Sequence, residues 1–278
     1  MTIWEAILLG VVEGVTEFLP ISSTGHLTII EKLLGYSIHH ADITAFTAII
    51  QIGAVLATLL YFRREILRIG VAWFRGLHQP DYRKNPDYRF GWAIAVGSLP
   101  IGIIGLLFQH HIETTLRSLW VVAIALIVWS GVMWFADKYA TQQRPEDVVT
   151  WKDTLFIGVV QCLALIPGVS RSGATMSAGL FCGFDRVTVT KLSFFLSIPA
   201  LLAAGTMQAV NNVDTISNGV GWVPTIVATV VSFGVAYIVV AWLLKFIAKN
   251  NYSIFIVYRL ALGGVILVLL LTNTISAT

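Results

Sequence analysis

Charge is what this sequence has least of. Asp, Glu, Lys and Arg make up 12% of its 278 residues, about half the ~25% of an ordinary soluble domain. Apolar residues make up 56% and the mean hydropathy is +0.80, more apolar surface than a soluble globule of this length can hide. The bilayer is the solvent that suits such a chain. The net charge is only +3 and the basic residues are spread over several loops, which argues against a nucleic-acid partner. Cysteine is nearly absent. Cys162 and Cys182 stand in or beside apolar segments, outside any CxxC or Cys/His cluster, and read as small packing residues. A secretory leader is also missing: residues 1–12 have no basic n-region and no small-residue cleavage site, so they are expected to belong to the fold.

Long apolar runs are what the chain does have. Six segments, 44–62, 90–108, 119–135, 192–210, 223–244 and 254–272, reach the ~17–20 residues that a span requires. Residues 3–34 and 155–182 are apolar at both ends but broken in the middle. The breaks are Pro20-Ile21-Ser22-Ser23-Thr24-Gly25 and Pro167-Gly168-Val169-Ser170-Arg171-Ser172-Gly173. Pro removes a backbone donor, Gly disfavours helix, and each arm is too short to span alone. Irregular backbone at membrane depth must be enclosed by protein. Two re-entrant helix–loop–helix hairpins are therefore expected, with a pair of kinked spanning helices as the alternative.

The two halves resemble each other at an offset of 148. Gly10-Val11-Val12-Glu13 matches Gly158-Val159-Val160-Gln161, and Ser22-x-Thr24-Gly25 matches Ser170-x-Ser172-Gly173. Phe46 matches Phe194, and Ile50 matches Ile198. We read an internal duplication within one integral-membrane domain, 1–278, with repeats 1–140 and 149–278. Each half holds one hairpin and three spans. An odd number of spans inverts the second half, so the expected fold is an all-α polytopic membrane protein with inverted-topology repeats. Returning hairpins put loops 63–89, 136–154, 183–191 and 245–253 on one face. That face carries fourteen Lys and Arg, against Lys32 and Arg117 on the other. The positive-inside rule makes the basic face cytoplasmic and leaves both termini outside.

Ionisable residues at membrane depth are functional candidates, because burying charge in hydrocarbon is costly. Glu13, Glu17, His26, Arg171 and Arg259 stand out. Glu13 and Glu17 are four apart, so a helix puts both carboxylates on one face. Such a pair needs a shared proton or a cation, and a hard divalent ion such as Mg or Ca could bridge it to phosphate oxygens. Ser22, Ser23, Thr24 and Gly25 offer hydroxyls and N–H groups to an anion. The same groups would equally cap the following helix. His26 is suited to general acid–base work or to nucleophilic attack. Arg171, between Ser170 and Ser172, is suited to bidentate phosphate contact, or to pairing with Glu13 or Glu17. Arg259 either snorkels to the cytoplasmic interface or reaches the central site.

Two stretches carry a family resemblance: Glu13-Gly14-Val15-Thr16-Glu17-Phe18-Leu19-Pro20-Ile21-Ser22-Ser23-Thr24-Gly25-His26 and Pro167-Gly168-Val169-Ser170-Arg171-Ser172-Gly173-Ala174-Thr175. With Gln51 and Tyr258-Arg259, they resemble the undecaprenyl-pyrophosphate phosphatases, the bacitracin-resistance family, over essentially the whole chain. The resemblance implies removal of the terminal phosphate from a polyprenyl pyrophosphate with a divalent cation. It implies a bacterial plasma-membrane location and an active site opening to the extracytoplasmic side. Glu13 and Glu17 would then serve metal and acid–base roles, and Ser23 and His26 would be the nucleophile and its partner in an unsettled order. Ser170, Arg171, Ser172 and Thr175 would hold phosphate. A lipid transporter or flippase of the same architecture is the competing reading. A different lipid-phosphatase class is rejected, because its Arg-Pro motif and second His have no counterpart near the breaks. Oligomeric state is not written in the sequence, and a homodimer stays open.

Overall fold

The computed structural model describes residues 1–37, 40–108, 116 and 118–277. Arg117, counted on the sparsely charged face, lies outside them. The described residues are helical, with one isolated bridge between Arg144 and Phe184 and no strand. In chain order the helices are α1 (Ile3–Thr16), α2 (Ser23–Leu33), α3 (Ala41–Tyr61), α4 (Arg63–His78), α5 (Pro86–Leu107) and α6 (Leu119–Tyr139). There follow α7 (Trp151–Gln161), α8 (Arg171–Phe181), α9 (Arg186–Asn211), α10 (Val213–Asn218), α11 (Trp222–Ile247) and α12 (Ser253–Leu271).

Six of these, α3, α5, α6, α9, α11 and α12, are long and apolar enough to cross a membrane, with 19 to 26 residues each. At ~1.5 Å per residue they match a ~30 Å hydrocarbon core. They fall on the six expected segments, with ends moved by a few residues. Helix α11 shows where its apolar surface goes: its mean hydropathy is 2.3, yet only 28% of that window is buried. The rest belongs to lipid, and the protein is multi-pass.

Helices α1, α2, α7 and α8 have 14, 11, 11 and 11 residues, too short to span. Their local structure repeats at the offset seen in the sequence. Thr2 and Glu5 form a capping box, as do Thr150 and Asp153. Helices α2 and α8 begin and end 148 residues apart, on N-caps Ser22 and Ser170 that both have φ 76°. Helix α1 packs on α11, and α7 on α5. A Cβ added at Gly10 would stand 2.5 Å from the Ala228 carbonyl oxygen, and one at the matching Gly158 would stand 2.0 Å from that of Gly97. Only glycine permits either approach.

One expectation is corrected. Residues 63–89 read as a loop, but 63–78 form α4. Ile69, Ala72 and Gly76 of α4 are buried, and α4 packs on α5. Their 3–4-residue spacing is helical, and the arginines around them mask it in a hydropathy reading. Ion pairs join the loops of the basic face: Lys191 with Glu65 and Glu146, Arg186 with Asp137, and Arg144 with Asp153. Burial raises the Asp153 carboxyl pKa. Hydrogen bonds from Arg144 and Thr150 more than offset it, so the group stays below its ordinary value. Cys162 and Cys182 are free thiols.

Candidate active site

Each break ends in a helix N-terminus, and the cap fixes where the helix starts. Ser22 and Ser170 take positive φ, a conformation that costs a non-glycine residue about 1–3 kcal/mol. Each hydroxyl accepts from the N–H three residues on, Gly25 at 3.3 Å and Gly173 at 3.1 Å. The irregular chain is thus shorter than the sequence suggested. Ser23, Thr24 and His26 stand on the first turn of α2, and Arg171, Ser172 and Thr175 on the first turns of α8.

Glu17 is the C-cap of α1, and its N–H donates to the Glu13 carbonyl. The two carboxylates lie on one face as expected, both buried. Glu17 Oε2 accepts a 2.5 Å hydrogen bond from Ser23 Oγ. Its Oε1 accepts from Arg171 Nη2 at 3.2 Å. One carboxylate therefore joins the hydroxyl of the first break to the guanidinium of the second. Arg171 Nη1 donates to the Ser193 carbonyl at 2.9 Å, and its buried Nε has no acceptor among the described residues.

Both carboxylate oxygens of Glu13 are buried, without a hydrogen-bond partner among the described residues. An orphaned carboxylate at membrane depth is the donor a hard cation takes, so the residues present fit a divalent ion. Among the described residues no cluster of three or more His, Cys, Asp or Glu is found. Such an ion would bind through Glu13 and Glu17 and complete its shell with phosphate oxygens and water.

The hydroxyls of the second break are spent inside the protein. The Leu19 carbonyl can only accept, so Ser172 Oγ gives it its proton at 2.8 Å. Ser170 Oγ then donates to Ser172 Oγ at 3.0 Å. This chain ties α8 to the first break. Thr175 Oγ1 donates back to the Arg171 carbonyl at 2.9 Å. Ser170, Ser172 and Thr175 thus all make contacts within the protein. Thr24 is partly exposed.

Of its two expected placements Arg259 takes the inward one, between the two breaks. It is fully buried, so it does not snorkel, and its guanidinium meets backbone carbonyls. Nη1 donates to Pro20 at 3.2 Å, and Nη2 to Gly168 and Val169 at 3.0 Å each. Nε donates to Ser130 Oγ at 3.2 Å. Both breaks thus hang on one side chain from α12.

His26 is not bonded to Ser23. Its Nδ1 lies 2.7 Å from the Ser22 carbonyl and its Nε2 2.7 Å from Tyr258 Oη. The carbonyl requires a proton on Nδ1, so Nε2 of the neutral ring accepts from the Tyr258 hydroxyl. Tyr258 is the site residue that residue-by-residue reading passed over. Its only signal is its place beside Arg259 in an apolar helix. Tyr258→Phe is expected to lower kcat about 3- to 10-fold, the worth of one hydrogen bond, with KM unchanged in steady-state assays. A wild-type kcat would make the contact incidental.

The set can hold an anion and activate a hydroxyl in surroundings that exclude water. Fold and site together define a multi-pass membrane protein whose polar centre is enclosed by its own spans. The sequence matches the family described as Bacitracin resistance protein BacA over residues 6–265, and the chain belongs to that family. It is similar to "Undecaprenyl-diphosphatase 3" of Frankia casuarinae, 65% identical over 278 residues and 100% of both chains. It is 56% identical over 280 residues to "Undecaprenyl-diphosphatase" of Cutibacterium acnes, covering 98% of this chain and 99% of that one. "Undecaprenyl-diphosphatase 1" of Streptomyces avermitilis is 49% identical over 277 residues, with 99% of each covered.

Proposed function

We propose that this protein hydrolyses undecaprenyl diphosphate to undecaprenyl phosphate and inorganic phosphate, returning the lipid carrier of cell-wall precursors to use. Family membership and the named relatives support this reaction. The observation that carries the site assignment is the Glu17 carboxylate, shared between Ser23 and Arg171. A transporter needs no activated hydroxyl, so that contact favours the enzyme.

In the proposed sequence Ser23 Oγ attacks the terminal phosphorus and its proton passes to Glu17. The bond from that phosphorus to the bridging oxygen breaks, and undecaprenyl phosphate leaves with the electron pair. Glu17 gives that proton up to the freed oxygen of the leaving phosphate. Water then attacks the phosphoserine, one of its protons passes to Glu17, the bond from phosphorus to Ser23 Oγ breaks, and Glu17 returns the proton to Ser23 Oγ as inorganic phosphate leaves. Arg171 holds the equatorial oxygens through the charge build-up. A divalent cation on Glu13 and Glu17, when bound, supplies charge neutralisation for the diphosphate.

The topology follows the same reading. Helices α1–α2 and α7–α8 are re-entrant hairpins of an inverted repeat, supported by their short lengths and their matching caps 148 residues apart. The basic loops face the cytoplasm of a bacterial plasma membrane and the site opens on the other side.

The test is phosphate release from undecaprenyl diphosphate by detergent-purified protein, with and without chelator. Chelator is expected to abolish release and Mg or Ca to restore it. Arg171→Ala is expected to lose about 10²–10³-fold in kcat, the worth of one anion-stabilising donor. Substrate binding with no release under any cation would sink the phosphatase reading. Near-wild-type turnover by Arg171→Ala would sink the site.

A further inference from the structure

Helix α4 carries a surface that the reaction does not use. At ~100° per residue, its side chains sort into three stripes. Ile69, Ala72 and Gly76 fall within about 60° of one another and are buried in the protein. Leu67, Val71 and Phe74 form a second stripe and are 66%, 50% and 63% exposed. Arg64, Arg68 and Arg75 lie within about 40° of one another, between the buried stripe and the exposed apolar one.

A helix with one strongly basic and one exposed apolar stripe lies in the plane of a membrane interface, apolar side down. Here the third stripe is fastened to the body of the protein, so the arginines are held at the boundary between protein and lipid. A concavity of about 410 Å³ opens there, lined by Arg64, Leu67, Arg68, Val71, Tyr82 and Asn85 among others. Arg68 is fixed across it by Asp87 at 2.9 Å, and Arg75 by Tyr82 Oη at 2.9 Å. Arg64 is exposed and has no hydrogen bond or ion pair with described residues. Glu65, the acidic neighbour, pairs with Lys191 and also lies 3.7 Å from Arg68 Nη2.

We propose that α4 is a binding site for an anionic phospholipid: Arg64 and Arg68 take the headgroup phosphate in the concavity, and the acyl chains run along Leu67, Val71 and Phe74. Charge complementarity selects the ligand. The cytoplasmic leaflet supplies anionic headgroups, each nearby Arg or Lys contributes about 1 kcal/mol of attraction, and a zwitterionic headgroup has no net charge to offer. The inference rests on the membrane placement proposed above but not on the phosphatase chemistry.

The test uses full-length protein in phosphatidylcholine nanodiscs containing 20 mol% spin-labelled phosphatidylglycerol or, separately, spin-labelled phosphatidylcholine. Electron spin resonance reads the immobilised lipid fraction. Wild type is expected to prefer phosphatidylglycerol at least about 5-fold, the equivalent of ~1 kcal/mol. Arg64→Gln combined with Arg68→Gln is expected to remove the preference. Arg64→Gln alone removes an exposed side chain that bonds to none of the described residues, so it folds, and it is expected to halve the preference or more. Full preference in both variants overturns the proposal. So does displacement of the lipid by millimolar inorganic phosphate, which would mark a simple anion pocket. Phosphate release in detergent is read in parallel and is expected to be unchanged, which keeps this outcome separate from failure of the catalytic site.

Discussion

Ser23→Ala is expected to lower kcat by at least about 10³-fold, the scale on which loss of a covalent nucleophile is felt, while KM changes little. In the proposed site Arg171 and a divalent cation would hold the substrate, and neither is touched by removing one buried hydroxyl. His26→Ala is expected to cost far less, about 10- to 10²-fold. The imidazole is held between the Ser22 carbonyl and Tyr258 rather than against Ser23, and the proton of Ser23 already faces Glu17. Steady-state phosphate release from both variants, backed by trapping of a phosphoserine on acid quench, decides the order left open by the sequence. A Ser23→Ala enzyme with a tenth of wild-type turnover, beside a dead His26→Ala enzyme, would reverse the assignment.

The second large effect is expected at Arg259, a positioning residue. Hydrogen bonds to a charged group contribute about 1.5–3 kcal/mol each, and this guanidinium makes them to Pro20, Gly168 and Val169 together. Arg259→Ala would leave three buried carbonyls unpaired and is expected to unfold the site. Arg259→Lys is the sharper probe. It keeps the charge but replaces a planar fork with a point donor that cannot reach both breaks at once. We expect kcat to fall about 10²-fold, the cost of misplacing reactive groups by an ångström, with KM nearly unchanged. If Arg259 instead touched substrate phosphate, KM would rise and kcat would hold. Wild-type kcat in Arg259→Lys would remove the clamp from the account.

The comparison of Arg259 and α3 shows what a sequence can carry. The span at 44–62 was legible because hydropathy adds along a segment, and no partner is needed to see it. Arg259 was legible only as a costly charge. The direction of its side chain is set by packing between α6 and α12, which no linear pattern encodes. Glu17 and Ser23 were both picked out, but their bond crosses a non-helical turn, where i, i+4 reasoning has no force. The family resemblance pointed instead to Ser23 with His26. The arginines that located the basic face also hid the helix beneath them in α4. Ser22 was read both as a hydroxyl offered to an anion and as a helix cap, and Ser170 as a phosphate contact. Their positive φ, which makes them caps first, is a backbone property that composition does not report.

The position of Arg259 in the chain also sets an order of assembly. The carboxylates, Ser23 and Arg171 are all translated before α12, and α2 and α8 each carry their own N-cap. The donor that gathers both turns arrives with the last span. Until that helix has threaded in beside α6, the carbonyls of Pro20, Gly168 and Val169 have no common partner. The ribosome therefore delivers the reactive groups early and the part that gathers both turns late.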